Sequence, residues 1–263
     1  EIMISFRHFN GAGTNIVLLH GLFGMGTNLS RLARALSSKF SVYIVDLPDH
    51  GGSSWLPSRD ISTYSEIIID WMGQVNIHSC YLLGHSLGGK VAMQIASVNP
   101  SAIKSLVVVD ILPISYPDRH THIFKAMNEV VASGCTTRKD AHTVMSRYIS
   151  ELEIIQFLSM SLYVGENGNI AWKLNHEGLA RDYRSLCLGL DFCEVAFHGP
   201  TMFIKGGSSS YIPFGSESFI RKIFPKSKLE TIPEAGHWIH ADNPVAFNSI
   251  VTDFFLAAES VRD

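Results

Sequence analysis

Residues 80–98 read CYLLGHSLGGKVAMQIASV. The apolar run predicts a buried strand over Cys80–Gly84, and the residues that follow predict a helix over Leu87–Val98. Between strand and helix the sequence satisfies the pattern G-x-S-x-G, with Ser86 at its centre. In a strand–turn–helix context this pattern is typical of a nucleophilic serine held on a sharp, strained turn. Ser86 is therefore the candidate nucleophile.

The residues around Ser86 suit such a turn. Gly84 and Gly88 leave room for close backbone packing, because a side chain at either position would collide with the turn. The N–H of Leu87 opens the helix, so it can donate a hydrogen bond to a developing oxyanion with help from the helix dipole. A phosphate-binding loop is the other chemical interpretation, but Val91 stands where that motif needs Ser or Thr. A glycine-rich turn without chemistry is the third interpretation.

Strand and helix patterns alternate on both sides of this segment. Most strand candidates are runs of Val, Ile and Leu without polar alternation, which predicts a sheet covered on both faces. The alternation favours right-handed βαβ units in a mostly parallel, doubly wound α/β sheet. The predicted strands are Met3–Phe9, Asn15–His20, Val42–Asp46, Cys80–Gly84, Ser105–Ile111, Thr201–Lys205 and Lys228–Ile232. The predicted core helices are Asn28–Ser38, Ser65–Val75, Leu87–Val98, Ser216–Phe224 and Pro244–Ala257.

Residues 114–197 interrupt this alternation. They carry helix patterns, broken once at Val164–Lys173, where an Asn-Gly pair favours a turn. We therefore predict a helical lid of residues 114–197, inserted into a core formed by residues 1–113 and 198–263. The predicted lid helices are Asp118–Ala132, Arg138–Ile149, Glu151–Tyr163 and Glu177–Leu188.

Two other loops are candidates to complete the site. The segment His20-Gly-Leu-Phe-Gly24 follows the second predicted strand, where this architecture supplies the second oxyanion N–H. Leu22 is the predicted donor and Phe23 is the alternative, while His20 is expected to hold the loop by hydrogen bonds. The catalytic base is expected near the C-terminus, because the chain order on this architecture is Ser, acid, His. His237 fits that position, and the neighbouring His240 is its rival.

The acid is harder to assign. The usual loop after the lid, Gly206–Tyr211, contains neither Asp nor Glu. Asp110 ends the strand that follows the Ser86 helix and still obeys the chain order, and Glu217 is the nearest carboxylate downstream of the loop. We predict that Asp110 is the acid. A helix cap or a solvated strand end remains the other interpretation of Asp110.

Composition excludes several classes of function. The 263 residues include 21 Lys and Arg and 24 Asp and Glu, which gives a net charge of −3. This balance does not predict the basic surface that binding to nucleic acid requires. The apolar runs are too short to span a membrane and the first residues do not resemble a signal peptide, so we expect no membrane partner and a cytoplasmic location. Four cysteines without metal-ligand spacing predict free thiols. His120 and His122 invite a metal interpretation, but no carboxylate cluster accompanies them, so we expect no metal and no other cofactor.

Five motifs together resemble the α/β-hydrolases and, more narrowly, the bacterial YbfF-type esterases. The resemblance spans nearly the whole chain and implies the α/β-hydrolase fold with a helical lid inserted after strand 6. It also implies an acid at the position of Asp110. The motifs are His20-Gly-Leu-Phe-Gly24, Asp49-His-Gly-x-Ser53, Gly84-His-Ser-Leu-Gly-Gly-Lys90, Val109-Asp-Ile-x-Pro113 and Gly236-His-Trp-Ile-His-Ala241.

The resemblance implies a serine esterase that cleaves short- to medium-chain acyl esters, with acyl-CoA thioesters as further substrates of some members. Lys90, Arg119 and Lys125 are candidates for contact with a CoA phosphate. A C–C bond hydrolase of the same fold and a non-catalytic binding module are the alternatives, since a fold does not determine a function. The oligomeric state stays open. The residues predicted to bind substrate are Phe23, Phe124, Met127, Phe157, Tyr163 and Trp238.

Overall fold

The computed structural model describes residues 1–261. Seven strands form the central sheet and two more form a separate hairpin. The strands are β1 (Phe6–Phe9), β2 (Asn15–Leu19), β3 (Ser41–Val45), β4 (Cys80–His85), β5 (Ile103–Val109), β6 (Leu162–Val164), β7 (Ile170–Trp172), β8 (Thr201–Gly206) and β9 (Ser227–Ile232). The order in the sheet is β1-β3-β2-β4-β5-β8-β9, and all neighbours are parallel except β1 and β3. The predicted mostly parallel α/β sheet is confirmed.

Helices cover both faces of this sheet. They are α1 (Ser30–Leu36), α2 (Ile61–Gln74), α3 (Leu87–Val98), α4 (Thr121–Ala132), α5 (Arg138–Met145), α6 (Leu152–Ser159), α7 (His176–Arg181), α8 (Tyr183–Cys187), α9 (Glu217–Ile223), α10 (Ile239–Asp242) and α11 (Pro244–Ser260). Successive residues of one strand point to opposite faces. Thus Ile16 packs in the cluster that contains α1 and α11, and its neighbour Val17 packs in the cluster that contains α2 and α3. This double burial explains the uninterrupted apolar runs in the sequence.

The helical insertion runs between β5 and β8. It therefore follows the fifth strand along the chain, not strand 6 as expected, because only five strands form before it. The lid also contains a hairpin where a helix to Tyr163 was predicted. Helix α6 ends at Ser159, and β6 then pairs with β7 across a turn in which Gly168 adopts a φ of 81°. We call residues 114–197 the lid segment, and its exact boundaries stay a prediction.

A buried ion pair ties the lid segment to the core. The side chains of Arg59 and Asp49 are fully buried, with 2.9 Å between Nε and Oδ2. Arg59 also contacts Asp182 of the lid segment, with 2.6 Å between Nη1 and Oδ2. From the lid segment, Asn175 Nδ2 donates to Asp49 Oδ1 over 2.9 Å. The core loop before α2 thus fixes one side of the lid segment.

Three further observations concern the classes considered above. Within residues 1–261, no helix combines the length and the apolar character needed to cross a membrane. The same residues contain no group of three or more His, Cys, Asp or Glu side chains arranged to hold a metal ion. All four cysteines are free thiols, buried at Cys80 and Cys135 and exposed at Cys193. The cytoplasmic location stays a prediction.

Candidate active site

Ser86 lies on the turn between β4 and α3. Its φ of 53° and ψ of −115° are unusual for a residue with a side chain, and its N–H donates to Val109 O over 3.0 Å. A Cβ on Gly84 would overlap the carbonyl of Gly88, and a Cβ on Gly88 would overlap the carbonyls of Leu19 and His20. The two glycines therefore allow the close packing that keeps Ser86 in its strained conformation.

Ser86, His237 and Asp110 form one hydrogen-bonded chain. His237 Nε2 lies 2.9 Å from Ser86 Oγ, and His237 Nδ1 lies 2.7 Å from Asp110 Oδ2. A carboxylate only accepts hydrogen bonds, so Nδ1 carries the proton and Nε2 offers its lone pair to the serine hydroxyl. This is the tautomer that a general base for Ser86 requires.

Asp110 is fully buried at the end of β5, with a φ of 53°. Its Oδ1 accepts a hydrogen bond from Gly206 N over 3.1 Å, and its Oδ2 also accepts one from the Ser209 hydroxyl. The last residue of β8 and the loop after it, which lacks a carboxylate, thus each supply one donor to Asp110. Sequence reasoning searched that loop for an acid and missed this role, although its serines are the available signal. The alternative acid Glu217 is exposed on α9.

Two backbone N–H groups near Ser86 have no hydrogen-bond acceptor among the described residues. Among the described residues, neither Leu22 N–H nor Leu87 N–H makes a hydrogen bond within the protein. Phe23 N–H, the alternative donor, instead donates to His50 Nε2 over 3.3 Å, and Phe23 has a φ of 67°. The geometry therefore favours Leu22 over Phe23 as the donor from this loop.

Buried histidines hold the loop that carries Leu22. His20 Nε2 accepts from Leu47 N over 2.9 Å, so its Nδ1 carries the proton and donates to Gly21 O over 2.7 Å. Burial, with a smaller contribution from His50, lowers the pKa of His20 to about 3. His20 is thus a neutral structural residue, as expected from its position in the loop.

Two further histidines near Ser86, His85 and His240, make no hydrogen bond to its hydroxyl. His85 is buried, and its Nε2 donates to the carbonyl of His237 over 2.7 Å. His240 packs its ring 4.8 Å from that of His85, and its Nδ1 is buried without a hydrogen-bond partner in the protein. Burial and the nearby His237 lower the pKa of His240 to about 4. Of the two candidate bases, only His237 is bonded to Ser86.

An aromatic side chain covers His237, and a cationic side chain packs on that aromatic ring. The ring of Tyr211 stacks on the imidazole with 3.7 Å between centroids and 14° between planes. Arg119 from the lid segment lies over the ring of Tyr211, 4.2 Å from its centroid, and donates to Ser210 Oγ over 3.1 Å. Sequence reasoning missed Tyr211 because no motif marks a stacking residue, and it considered Arg119 only as a contact for phosphate.

A cavity of about 590 Å³ opens beside Ser86 and His237, between the core and the lid segment. It is lined by three of the residues predicted to bind substrate, namely Phe23, Phe157 and Trp238. The rings of Phe157 and Trp238 lie 4.9 Å apart on its wall. Three carboxylates also line it, those of Glu151, Glu153 and Asp242.

The other three predicted substrate residues do not line this cavity. Phe124 is buried behind Phe23, with 5.1 Å between ring centroids. Met127 is fully buried on the inner face of α4, and Tyr163 projects outward from β6 and is 42% exposed. Amphipathic spacing identified which faces of the lid are apolar, but the lid packs much of that surface against itself.

Lys90 and Lys125, two of the three basic residues considered for contact with a CoA phosphate, do not line this cavity either. Lys90 is only 2% exposed, and its Nζ donates to Cys187 O over 3.1 Å and to Leu188 O over 2.7 Å. Burial lowers its pKa to about 8. Lys125 lies outside the cavity beside Ser86, on the exposed face of α4. Of the three, only Arg119 lines that cavity.

Comparison with known proteins agrees with this geometry. Residues 16–250 match the model of the alpha/beta hydrolase family. The chain belongs to that family. It is 36% identical over 261 residues to the sn-1-specific diacylglycerol lipase ABHD11 of Mus musculus, covering 95% of this chain and 84% of the relative. It is 34% identical over 232 residues to the esterase YbfF of Escherichia coli strain K12, covering 88% and 89% of the two chains.

A solved structure supports the same relationship. An esterase from a marine microorganism superposes with a TM-score of 0.92 at 32% identity, covering 97% of this chain and 100% of that chain. The predicted α/β-hydrolase fold, the resemblance to the YbfF-type esterases and the predicted enzyme class, a carboxylic ester hydrolase, are confirmed.

Proposed function

We propose that the chain is a serine esterase that hydrolyses short- to medium-chain acyl esters through Ser86, His237 and Asp110. The observation that supports this most is the continuous chain of hydrogen bonds from Ser86 Oγ through both nitrogens of His237 to the buried Asp110. Acyl-CoA thioesters are a second group of candidate substrates, because the thioester carbonyl accepts the same nucleophilic attack.

The mechanism follows from the protonation states. Ser86 Oγ attacks the ester carbonyl while His237 Nε2 accepts its proton, and Asp110 stabilises the imidazolium that forms. Leu22 N–H and Leu87 N–H donate to the oxyanion, and the loss of one such donor costs about 3 kcal/mol of barrier stabilisation. His237 then protonates the leaving alcohol, which leaves an acyl group on Ser86. Water activated by His237 releases the acid and regenerates the serine.

The stacked residues Tyr211 and Arg119 give this proposal a second support. The face of Tyr211 lies against the imidazole that becomes positively charged during attack. The ring face carries negative electrostatic potential and stabilises a cation placed over it. Arg119 also packs on the ring of Tyr211, so the lid segment helps to hold Tyr211 in place.

The test is hydrolysis of p-nitrophenyl esters from acetyl to dodecanoyl, with matched acyl-CoA thioesters, by wild type and Ser86→Ala. We expect Ser86→Ala to lower kcat by at least about 10⁴-fold, because the remaining groups then lack a nucleophile. Ser38→Ala, at an exposed serine after α1, is the control and should behave as wild type. Full activity of Ser86→Ala would contradict the proposal.

Fluorophosphonate labelling of the same protein, compared with these hydrolysis rates, separates the alternatives. A fluorophosphonate that labels Ser86 without any ester or thioester turnover would favour the C–C bond hydrolase, because that reaction uses the same activated serine. Absence of both labelling and turnover would favour the non-catalytic binding module.

A further inference from the structure

Ser86 lies where two cavities meet. The first is the cavity of about 590 Å³ described above, which we now call the main cavity. The second, which we call the side chamber, has a volume of about 50 Å³. Five residues line both, namely Leu22, Ser86, Arg119, His120 and Tyr211. The residues that line only the side chamber are Leu87, Lys90, Ile111, Tyr116, Pro117, Tyr183, Leu186 and Cys187.

The general acid of the proposed mechanism, His237, lines only one of the two cavities. His237, with its neighbours Gly236 and Trp238, lines the main cavity and does not line the side chamber. The leaving alcohol must receive its proton from His237 Nε2, so its oxygen has to lie within hydrogen-bond distance of that atom. This requirement directs the alcohol portion of the ester into the main cavity.

The acyl portion then extends to the opposite side of Ser86. Leu87, the predicted oxyanion donor at the start of α3, lines the side chamber together with apolar side chains such as Ile111 and Leu186. Two polar side chains that line only this chamber already have partners within the protein. Lys90 Nζ donates to two carbonyls, and the Tyr116 hydroxyl donates to Tyr211 O over 2.7 Å. An uncharged, apolar acyl group therefore fits this chamber best.

The volume limits the length of that acyl group. A chamber of about 50 Å³ holds roughly three to five water molecules. This is room for an acyl chain of roughly two to four carbons, while the main cavity is about twelve times larger.

We propose that the side chamber is the acyl site and the main cavity is the alcohol site, so that the enzyme selects esters of a short acyl group with a bulky alcohol. This inference rests on the proposed function, since it uses His237 as the general acid. It assigns Phe157 and Trp238, both among the residues predicted to bind substrate, to recognition of the alcohol.

A pair of isomeric esters tests the assignment. Octyl acetate and ethyl octanoate have the same atoms and closely similar hydrophobicity, but they exchange the long chain between alcohol and acyl. We expect kcat/KM for octyl acetate to exceed that for ethyl octanoate by at least about tenfold, because one misfitting methylene in a pocket already costs about that factor. An equal or inverted ratio would overturn the assignment.

Enlarging the side chamber provides the second measurement. Leu186 is 5% exposed and lines the chamber, whereas Leu188 is 59% exposed and lines neither cavity. We expect Leu186→Ala to shift the ratio at least fivefold or so toward ethyl octanoate, and the matched control Leu188→Ala to keep the wild-type ratio. If Leu186→Ala fails to fold, p-nitrophenyl acetate, butyrate and octanoate with wild type provide the same comparison at constant alcohol.

The outcomes separate the two proposals. Turnover that requires Ser86 but prefers ethyl octanoate, or a rate with p-nitrophenyl octanoate equal to that with the acetate, overturns the chamber assignment alone. Turnover that persists in Ser86→Ala overturns the proposed function, and the chamber assignment with it.

Discussion

Asp110→Asn exchanges one carboxylate oxygen for an NH₂ group and should reverse the tautomer of His237. Three donors face the carboxylate, namely His237 Nδ1–H, the Ser209 hydroxyl and Gly206 N–H. An amide has a single acceptor oxygen, so one orientation of the introduced amide directs its NH₂ at His237 and the other directs it at Gly206 N–H. In the first orientation His237 must accept at Nδ1, and its Nε2 then carries the proton.

That tautomer cannot accept the proton of Ser86 Oγ. If the amide instead keeps its oxygen on His237, the N–H of the buried Gly206 loses its acceptor, at a cost of about 1–3 kcal/mol. The first orientation therefore dominates. The equivalent substitution in a known serine triad lowers kcat about 10⁴-fold, and we expect a loss of that order here, equal to about 5 kcal/mol of barrier.

Steady-state hydrolysis of p-nitrophenyl acetate measures this loss. KM should change little, because Asp110 is buried and lines neither cavity. Glu217→Gln is the matched control, since Glu217 is the other acid considered and is exposed on α9. If Asp110→Asn keeps more than about a tenth of wild-type kcat, or Glu217→Gln loses it, the reasoning about the triad is refuted.

Three more predictions concern the lid segment, acid stability and the charge of the leaving group. Arg59→Met leaves the buried carboxylate of Asp49 without its cationic partner and should lower the free energy of unfolding by about 3–5 kcal/mol in urea titrations. Arg181→Met, at an exposed arginine, is the control and should leave the free energy of unfolding nearly unchanged. Burial lowers the pKa of His20 to about 3 in the folded protein. Between that pH and about pH 6.5, His20 is therefore protonated in the unfolded chain but neutral in the folded protein. The stability from His20 is therefore complete above about pH 6.5 and should fall by about 1.4 kcal/mol per pH unit on acidification; equal unfolding free energies at pH 7 and 5 would contradict this. Carboxylates such as Glu153 line the main cavity and repel the phosphates of CoA, so kcat/KM for acetyl-CoA should rise between about 50 and 500 mM salt, and less steeply in Glu153→Gln. A decrease with salt would instead indicate attraction of the phosphates to cationic groups.

The turn at Ser86 was predictable because its determinants are local. The pattern of glycines and serine stands between an apolar run and an uninterrupted helix pattern, and the observed α3 has the predicted bounds, Leu87–Val98. Asp110 was predictable for a different reason. The order of the strands along the chain brings the end of β5 next to the end of β4, and elimination among nearby carboxylates favoured Asp110 over Glu217, in agreement with the family resemblance.

The contacts across the lid segment were not predictable in the same way. Helix spacing showed that Met127 and Phe157 both lie on apolar faces, but only Phe157 faces the main cavity. That difference depends on how α4 and α6 pack against each other and against the hairpin of β6 and β7. The stacking of Tyr211 on His237 likewise joins residues from separate loops, which no spacing along the chain encodes.

The central claim is that Ser86 is the nucleophile that His237 activates. We would incubate the protein with a fluorophosphonate, digest it and locate the modified residue by mass spectrometry, with Ser86→Ala and His237→Gln in parallel. The account predicts modification at Ser86 in wild type, none at this position in Ser86→Ala, and a rate at least about 10³-fold lower in His237→Gln. Modification at a different residue, or at Ser86 with an unchanged rate in His237→Gln, would contradict it.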